Sequence, residues 1–165
     1  MAWLGCQSDT IFIGQGVRYP GHGMFDTLKD VPMDKRIELP VIENAQLGMS
    51  LGIALTGKTV ISIFPRFDFL LCATDSLVNS LDKLEEFTHG QFHAKVIIRV
   101  GIGSTSPLYP GVQHCGDYTE AFRLMLQHIS IFTLKASSDI MFWYRTAYSR
   151  HSSSLIVEDL NLYGK

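Results

Sequence analysis

Five short runs of aliphatic and β-branched residues, at 10–13, 60–64, 95–100, 129–134 and 154–158, constrain this chain more than any other feature. Each is bounded by Gly, Pro, Ser or charged residues, and none shows the strict alternation of a sheet with one wet face. Runs of that kind fit strands buried on both sides. Helical spacing fills the intervals: 44–56 places Leu47, Leu51 and Leu55 on one stripe, and 74–88 does the same with Leu77, Val78, Leu81 and Leu84. Further helices fit 119–127 and 139–149. Apolar strands alternating with helices predict a three-layer α/β sandwich with a mainly parallel sheet and helices on both faces.

A chain of 165 residues with 46% hydrophobic and 18% charged content supports one packed core, so a single domain over 1–165 is expected. The net charge of −2 is spread without a basic patch, which argues against nucleic acid as a partner. No apolar run approaches the roughly 20 residues that cross a bilayer, and the first residues do not read as a secretory signal. The three cysteines, Cys6, Cys72 and Cys115, make neither an even set nor a CxxC pair. A cytoplasmic protein with reduced thiols and no membrane contact is the expectation.

Two stretches without periodicity, 14–33 and 101–116, follow predicted strands and exceed the usual connection length in a compact domain. In open α/β sheets ligands bind beyond the carboxyl ends of strands, so a site is sought there. Gly14-Gln15-Gly16 and the glycines after it resemble a phosphate cradle, but no helix can open directly behind Pro20, and a P-loop Lys is missing. His89 and His93 have metal-ligand spacing, yet Gly90 between them and the lack of a nearby carboxylate at ligand spacing favour a plain surface pair. Ser8, Asp9 and the scattered His residues form no recognisable triad.

The segment 39–57 differs, because it sets one acid, Glu43, where an extended run becomes a helix. Taken alone, an acid in a first turn is explained by the helix dipole. The helix then carries Gly48 and Gly52, each costing about 1 kcal/mol against Ala if exposed, which predicts close approach of another backbone.

With Pro40, Glu43, Gly48, Gly52, Ala54 and Gly57 in this spacing, the segment resembles the pyrimidine-binding domain of thiamine-diphosphate enzymes. The likeness is to the beta subunit of the decarboxylase component of 2-oxo acid dehydrogenases and, more broadly, to the transketolase-like family. It extends through Phe67-Asp68-Phe69, Asp75-x-Leu77-Val78-Asn79, Gly90-Gln91-Phe92, 96–99, Gln113-His114, Leu155-Ile156-Val157-Glu158 and Leu162-Tyr163-Gly164, in family order.

The resemblance implies that Glu43 hydrogen-bonds the pyrimidine N1′ of thiamine diphosphate and promotes its imino tautomer. A carboxyl withdrawn from bulk water is suited to share a proton with a ring nitrogen. It implies further that Phe69, with Phe67 beside it, contacts the cofactor ring, and that His114 faces the substrate, where an imidazole titrating near neutrality is useful. The substrate is expected to be a 2-oxo acid or a ketose.

Departures are informative too. Gln15 stands where the family has an acid, Cys115-Gly116 follows His114 in place of Ser-Gln, and no Gly-Asp-Gly motif occurs. The diphosphate-binding and C-terminal domains of the family are therefore expected to be absent. A second subunit would then hold Mg2+ and the diphosphate, most simply in a heterotetramer, with the Gly48/Gly52 helix in the interface. The rival reading is a binding or regulatory module that kept the fold without catalysis.

Overall fold

A computed structural model describes residues 1–103 and 109–163. Part of the 101–116 stretch and Gly164 of the closing motif lie outside the described residues. Six parallel strands form one sheet in the order β2-β1-β3-β4-β6-β5. They are β1 (Thr10–Gly14), β2 (Arg36–Glu38), β3 (Thr59–Phe64), β4 (Lys95–Ile102), β5 (Ser130–Leu134) and β6 (Ser154–Asp159). Five coincide with the apolar runs. The additional strand, β2, is a three-residue edge strand with a charge at each end, and no apolar run marks it.

The helices are α1 (Ala2–Gly5), α2 (Gly23–Asp26), α3 (Glu43–Ala54), α4 (Phe67–Leu70), α5 (Leu84–Phe87), α6 (Thr119–Met125) and α7 (Ser137–Ser149). Strand side chains alternate between two cores, as the pleat demands. Ile13, Val60, Ile98 and Val157 face α3, α4 and α6, whereas Phe12, Ile61, Ile97 and Ile156 face α1, α2 and α7. This is the expected three-layer sandwich.

The helix predicted at 74–88 is interrupted. A π-helical turn, Ser76–Leu81, precedes α5, and the Asp82 N–H reaches back to the Leu77 carbonyl at 2.9 Å. The wider turn accompanies an inward Asp82, which is 2% exposed and accepts the backbone N–H groups of Gln127, His128 and Ile129 at 3.0, 2.9 and 2.9 Å. A carboxylate so used replaces strand or helix partners for the chain entering β5.

The stretch 14–33 is organised by Arg36, 5% exposed although charged. Its Nε donates to the Val31 carbonyl at 3.1 Å and its Nη1 to that of Val17 at 3.2 Å, while Nη2 serves Leu28 and Val31. A second buried cation, Arg99 on β4, forks onto Glu158 of β6 at 3.0 and 2.8 Å, with Thr27, Tyr144 and Tyr163 completing the network. Burial alone would raise the Glu158 carboxyl. The Arg99 charge and the donors around it outweigh that and hold it below the usual carboxylate range.

Candidate functional site

The chain leaves β1 toward β2 on one side and then returns through α3 to β3 on the other side of β1. The carboxyl ends of β1 and β3 are thus a topological switch point, where open α/β sheets leave a crevice. The N-terminus of α3 opens there, and its first residue is Glu43. Glu43 is buried, with 8% of its surface left exposed. Its Oε1 accepts a hydrogen bond from Gln15 Nε2 at 3.1 Å, bringing together residues 28 positions apart.

The inward face of α3 is polar one turn further on. Gln46 donates to Ser62 Oγ at 3.1 Å and to the Ile63 carbonyl at 3.0 Å, and Ser50 meets the same Ser62 at 3.0 Å. These contacts seat α3 on β3 by hydrogen bonds as well as by Leu47 and Ala54. Asn44, beside Glu43, accepts from Ser76 Oγ at 2.8 Å and from Ser76 N–H at 3.2 Å, which ties the start of α3 to the helical segment containing Phe69.

Phe69 is half-buried, and its ring meets the His114 imidazole edge-on at 5.4 Å. The two residues read together from the sequence are therefore neighbours. Asp68 fixes the loop that brings His114: it accepts the Gly116 N–H at 3.2 Å and the Tyr118 hydroxyl at 3.1 Å. Phe67 is placed otherwise than expected. It is fully buried, stacked on Phe122 at 5.4 Å with Tyr118 edge-on at 5.7 Å, so its ring belongs to the core and offers no face to a ligand. On a helical turn, residues two apart point in different directions, and only Phe69 is turned outward.

Three polar atoms near these residues are buried without a partner among the described residues: Gln46 Oε1, His22 Nδ1 and His114 Nδ1. His22 Nε2 donates to the Gln15 carbonyl at 3.1 Å. Burial pushes the His22 imidazole below its ordinary value, so near neutrality it is uncharged. Buried polar atoms without a partner are places where a polar ligand or ordered water can bind.

Gly48 and Gly52 do not meet the close backbone expected of them within the chain. The nearest atom to a Cβ at Gly48 would be Ser76 Oγ at 4.0 Å, and at Gly52 nothing lies within 4 Å. With exposed Val41, Ala45 and Met49 they form a bare face of small and apolar residues. His89 and His93 are exposed as well, and His93 Nδ1 lies 3.1 Å from Glu85.

Sequence comparison gives relatives of one kind. The pyruvate dehydrogenase E1 component subunit beta of Cyanidium caldarium is 31% identical over 100 residues, 58% of this chain and 30% of the relative. The chain is similar to pyruvate dehydrogenase E1 beta subunits. The mitochondrial subunit of Ascaris suum is 31% identical over 90 residues, covering 54% of this chain and 24% of its own length. That of Rickettsia bellii is 25% identical over 130 residues, or 78% of this chain and 38% of the relative. The chain thus spans between a quarter and two fifths of the length of these curated relatives. No protein-family model matches it. Among solved structures, the "Split gene transketolase, inactive beta4 tetramer" superposes with a TM-score of 0.72 over 96% of this chain and 47% of that one, at 14% identity. The fold is accordingly transketolase-like.

Proposed function

We propose that this chain is the pyrimidine-domain subunit of a split thiamine-diphosphate-dependent enzyme, transketolase-like or 2-oxo acid decarboxylating, and that it is active only with a partner. The observation that carries this reading is Glu43 itself, nearly buried at the switch point, on the first turn of α3. The E1 beta relatives and the split transketolase neighbour support the same assignment.

When bound, thiamine diphosphate supplies a thiazolium carbon that attacks the carbonyl of a 2-oxo acid or ketose. In this reading Glu43 shares a proton with the pyrimidine N1′, and Phe69 is the aromatic surface against which the ring packs. His114, kept beside Phe69, serves the substrate side by holding or moving a proton at the carbonyl oxygen. The diphosphate and Mg2+ fall to the partner's domain, since no Gly-Asp-Gly motif occurs in this chain. The bare Val41, Ala45, Gly48, Met49 and Gly52 face is the surface that assembly would cover, in a heterotetramer of two subunits of each kind. Interfaces of obligate assemblies bury more than about 2,000 Å² and are apolar at the centre, and small residues let backbones approach.

The test is purification of the tagged chain from its own cells in buffer containing magnesium and thiamine diphosphate. A larger chain bearing Gly-Asp-Gly should accompany it, and the pair should bind cofactor where this chain alone does not. Glu43→Gln should keep the assembly and lower turnover by about 100-fold or more, the range of a lost acid–base group. A stable solitary chain, or an active Glu43→Gln pair, overturns the assignment and leaves a binding or regulatory module.

A further inference from the structure

The Gly14-Gln15-Gly16 turn fits no phosphate cradle, yet it is among the most tightly determined parts of the molecule. Gly14 ends β1, paired with Glu38 on one side and Ile63 on the other, at a φ of +152°. A Cβ there would sit 2.3 Å from the Ile63 carbonyl oxygen. Gly16 has a φ of +63°, and its Cβ would fall 2.4 Å from His22 Nε2. Both positions therefore need glycine. The Glu38 carboxylate accepts the Gly16 N–H at 2.5 Å and the Arg18 N–H at 2.7 Å, and His22 holds the Gln15 carbonyl at 3.1 Å.

The Gly14 and Gln15 carbonyls and the Gly16 N–H are thus held by the Leu39 N–H, an imidazole and a carboxylate respectively. What this framework presents is one side-chain amide, directed at Glu43 Oε1 at 3.1 Å. A flexible Gln loses rotamer entropy worth up to about 2 kcal/mol when immobilised, so a scaffold that holds its backbone lowers the remaining cost of the contact. The amide is a neutral donor and occupies one carboxylate oxygen. Among the described residues nothing hydrogen-bonds the second oxygen of Glu43, which leaves it to a ligand, with its direction set by the first.

We infer that Gln15 is a positioning residue for Glu43, orienting its carboxylate by a side-chain hydrogen bond so that the other oxygen faces the cofactor pyrimidine. The inference rests on the reading of Glu43 given above. An acid here, as in the family pattern, would set a second carboxylate about 3 Å from Glu43, where the two share a proton. An amide keeps the contact without that coupling.

Two measurements test it. In the full chain alone, the Gln15 side-chain N–H resonances, assigned by their loss in Gln15→Met, should move with pH as Glu43 protonates and stand still in Glu43→Gln. Signals at an unstructured position and insensitive to pH overturn the contact. In the assembled enzyme, exchange of the thiazolium C2 proton with deuterium should slow about tenfold in Gln15→Met, with cofactor affinity changed less than about twofold, since orientation and not binding is lost. Gln15→Glu should shift the pH profile of that exchange upward, which a merely structural Gln would not do. Wild-type exchange in Gln15→Met beside abolished exchange in Glu43→Gln refutes the positioning role and leaves the cofactor reading intact. Undiminished exchange in Glu43→Gln removes both.

Discussion

Replacing Glu158 by Gln tests how much of the fold hangs on one buried ion pair. Arg99 and Glu158 are 2% and 5% exposed, and the carboxylate accepts Arg99 Nε at 3.0 Å, Arg99 Nη2 at 2.8 Å, the Tyr144 hydroxyl at 2.5 Å and the Tyr163 hydroxyl. Glu158→Gln keeps the shape but leaves a guanidinium buried beside a neutral amide. Breaking one partner of such a pair costs about 3–5 kcal/mol, a fifth or more of the roughly 5–15 kcal/mol typical of a domain. Arg99→Met should cost a similar amount. The double variant Arg99→Met/Glu158→Leu should lose much less than the sum, because neither charge then lacks a partner. Urea unfolding followed by circular dichroism measures all three. The wild type adds a pH signature: the Glu158 carboxyl is depressed in the folded state, so its contribution is fully present above the unfolded value of about 4.3 and is lost as pH falls through the folded value. In Glu158→Gln that acid-side loss should shrink. Additive single losses, or a Glu158→Gln cost below about 1 kcal/mol, refute the argument.

Two further outcomes follow from the same contacts. Asp82→Ala leaves three buried or half-buried backbone N–H groups, of Gln127, His128 and Ile129, without their acceptor and should cost about 2–4 kcal/mol, with the fastest rise in amide hydrogen exchange at 127–129. Gly14→Ala, which would bring a Cβ to 2.3 Å from the Ile63 oxygen, should destabilise by about 2 kcal/mol or more in thermal unfolding and move the Gln15 amide signals, whereas Gly52→Ala, with open space around it, should leave the lone chain no less stable.

The strands were legible because parallel sheets bury both faces, and residues such as Val60, Ile61, Ile97 and Ile98 must then be apolar in succession. What could not be read were places where charge works inside. Arg36 looks like a surface residue between Lys35 and Ile37, and only its carbonyl partners at Val17, Leu28 and Val31 show that it organises the preceding loop. The break at Asp82 hides for a related reason, since the Leu77, Leu81, Leu84 stripe persists through a π turn. The pairing of Arg99 with Glu158 did leave a trace, as opposite charges set inside two apolar runs. Within the candidate site, Glu43, Phe69 and His114 are candidates only through the resemblance, and Gln15 stands out only as a departure. Its meaning needed the contact across 28 residues that folding creates. Phe67 and Phe69 are the same residue type two positions apart, and spacing alone could not assign one to the core and the other to the His114 contact.

The tripeptide Phe67-Asp68-Phe69 concentrates three tasks in less than one helical turn: Phe67 plugs the core, Asp68 moors the His114 loop, and Phe69 meets the His114 ring edge-on. That economy separates what can vary from what cannot. Any loop that supplies a backbone N–H and a hydroxyl to Asp68 can be moored in the same berth, so residues ahead of Gly116 can be exchanged for others without reopening the core. Variation can therefore accumulate in the loop at little cost to the stability of the scaffold, as long as the tripeptide is kept.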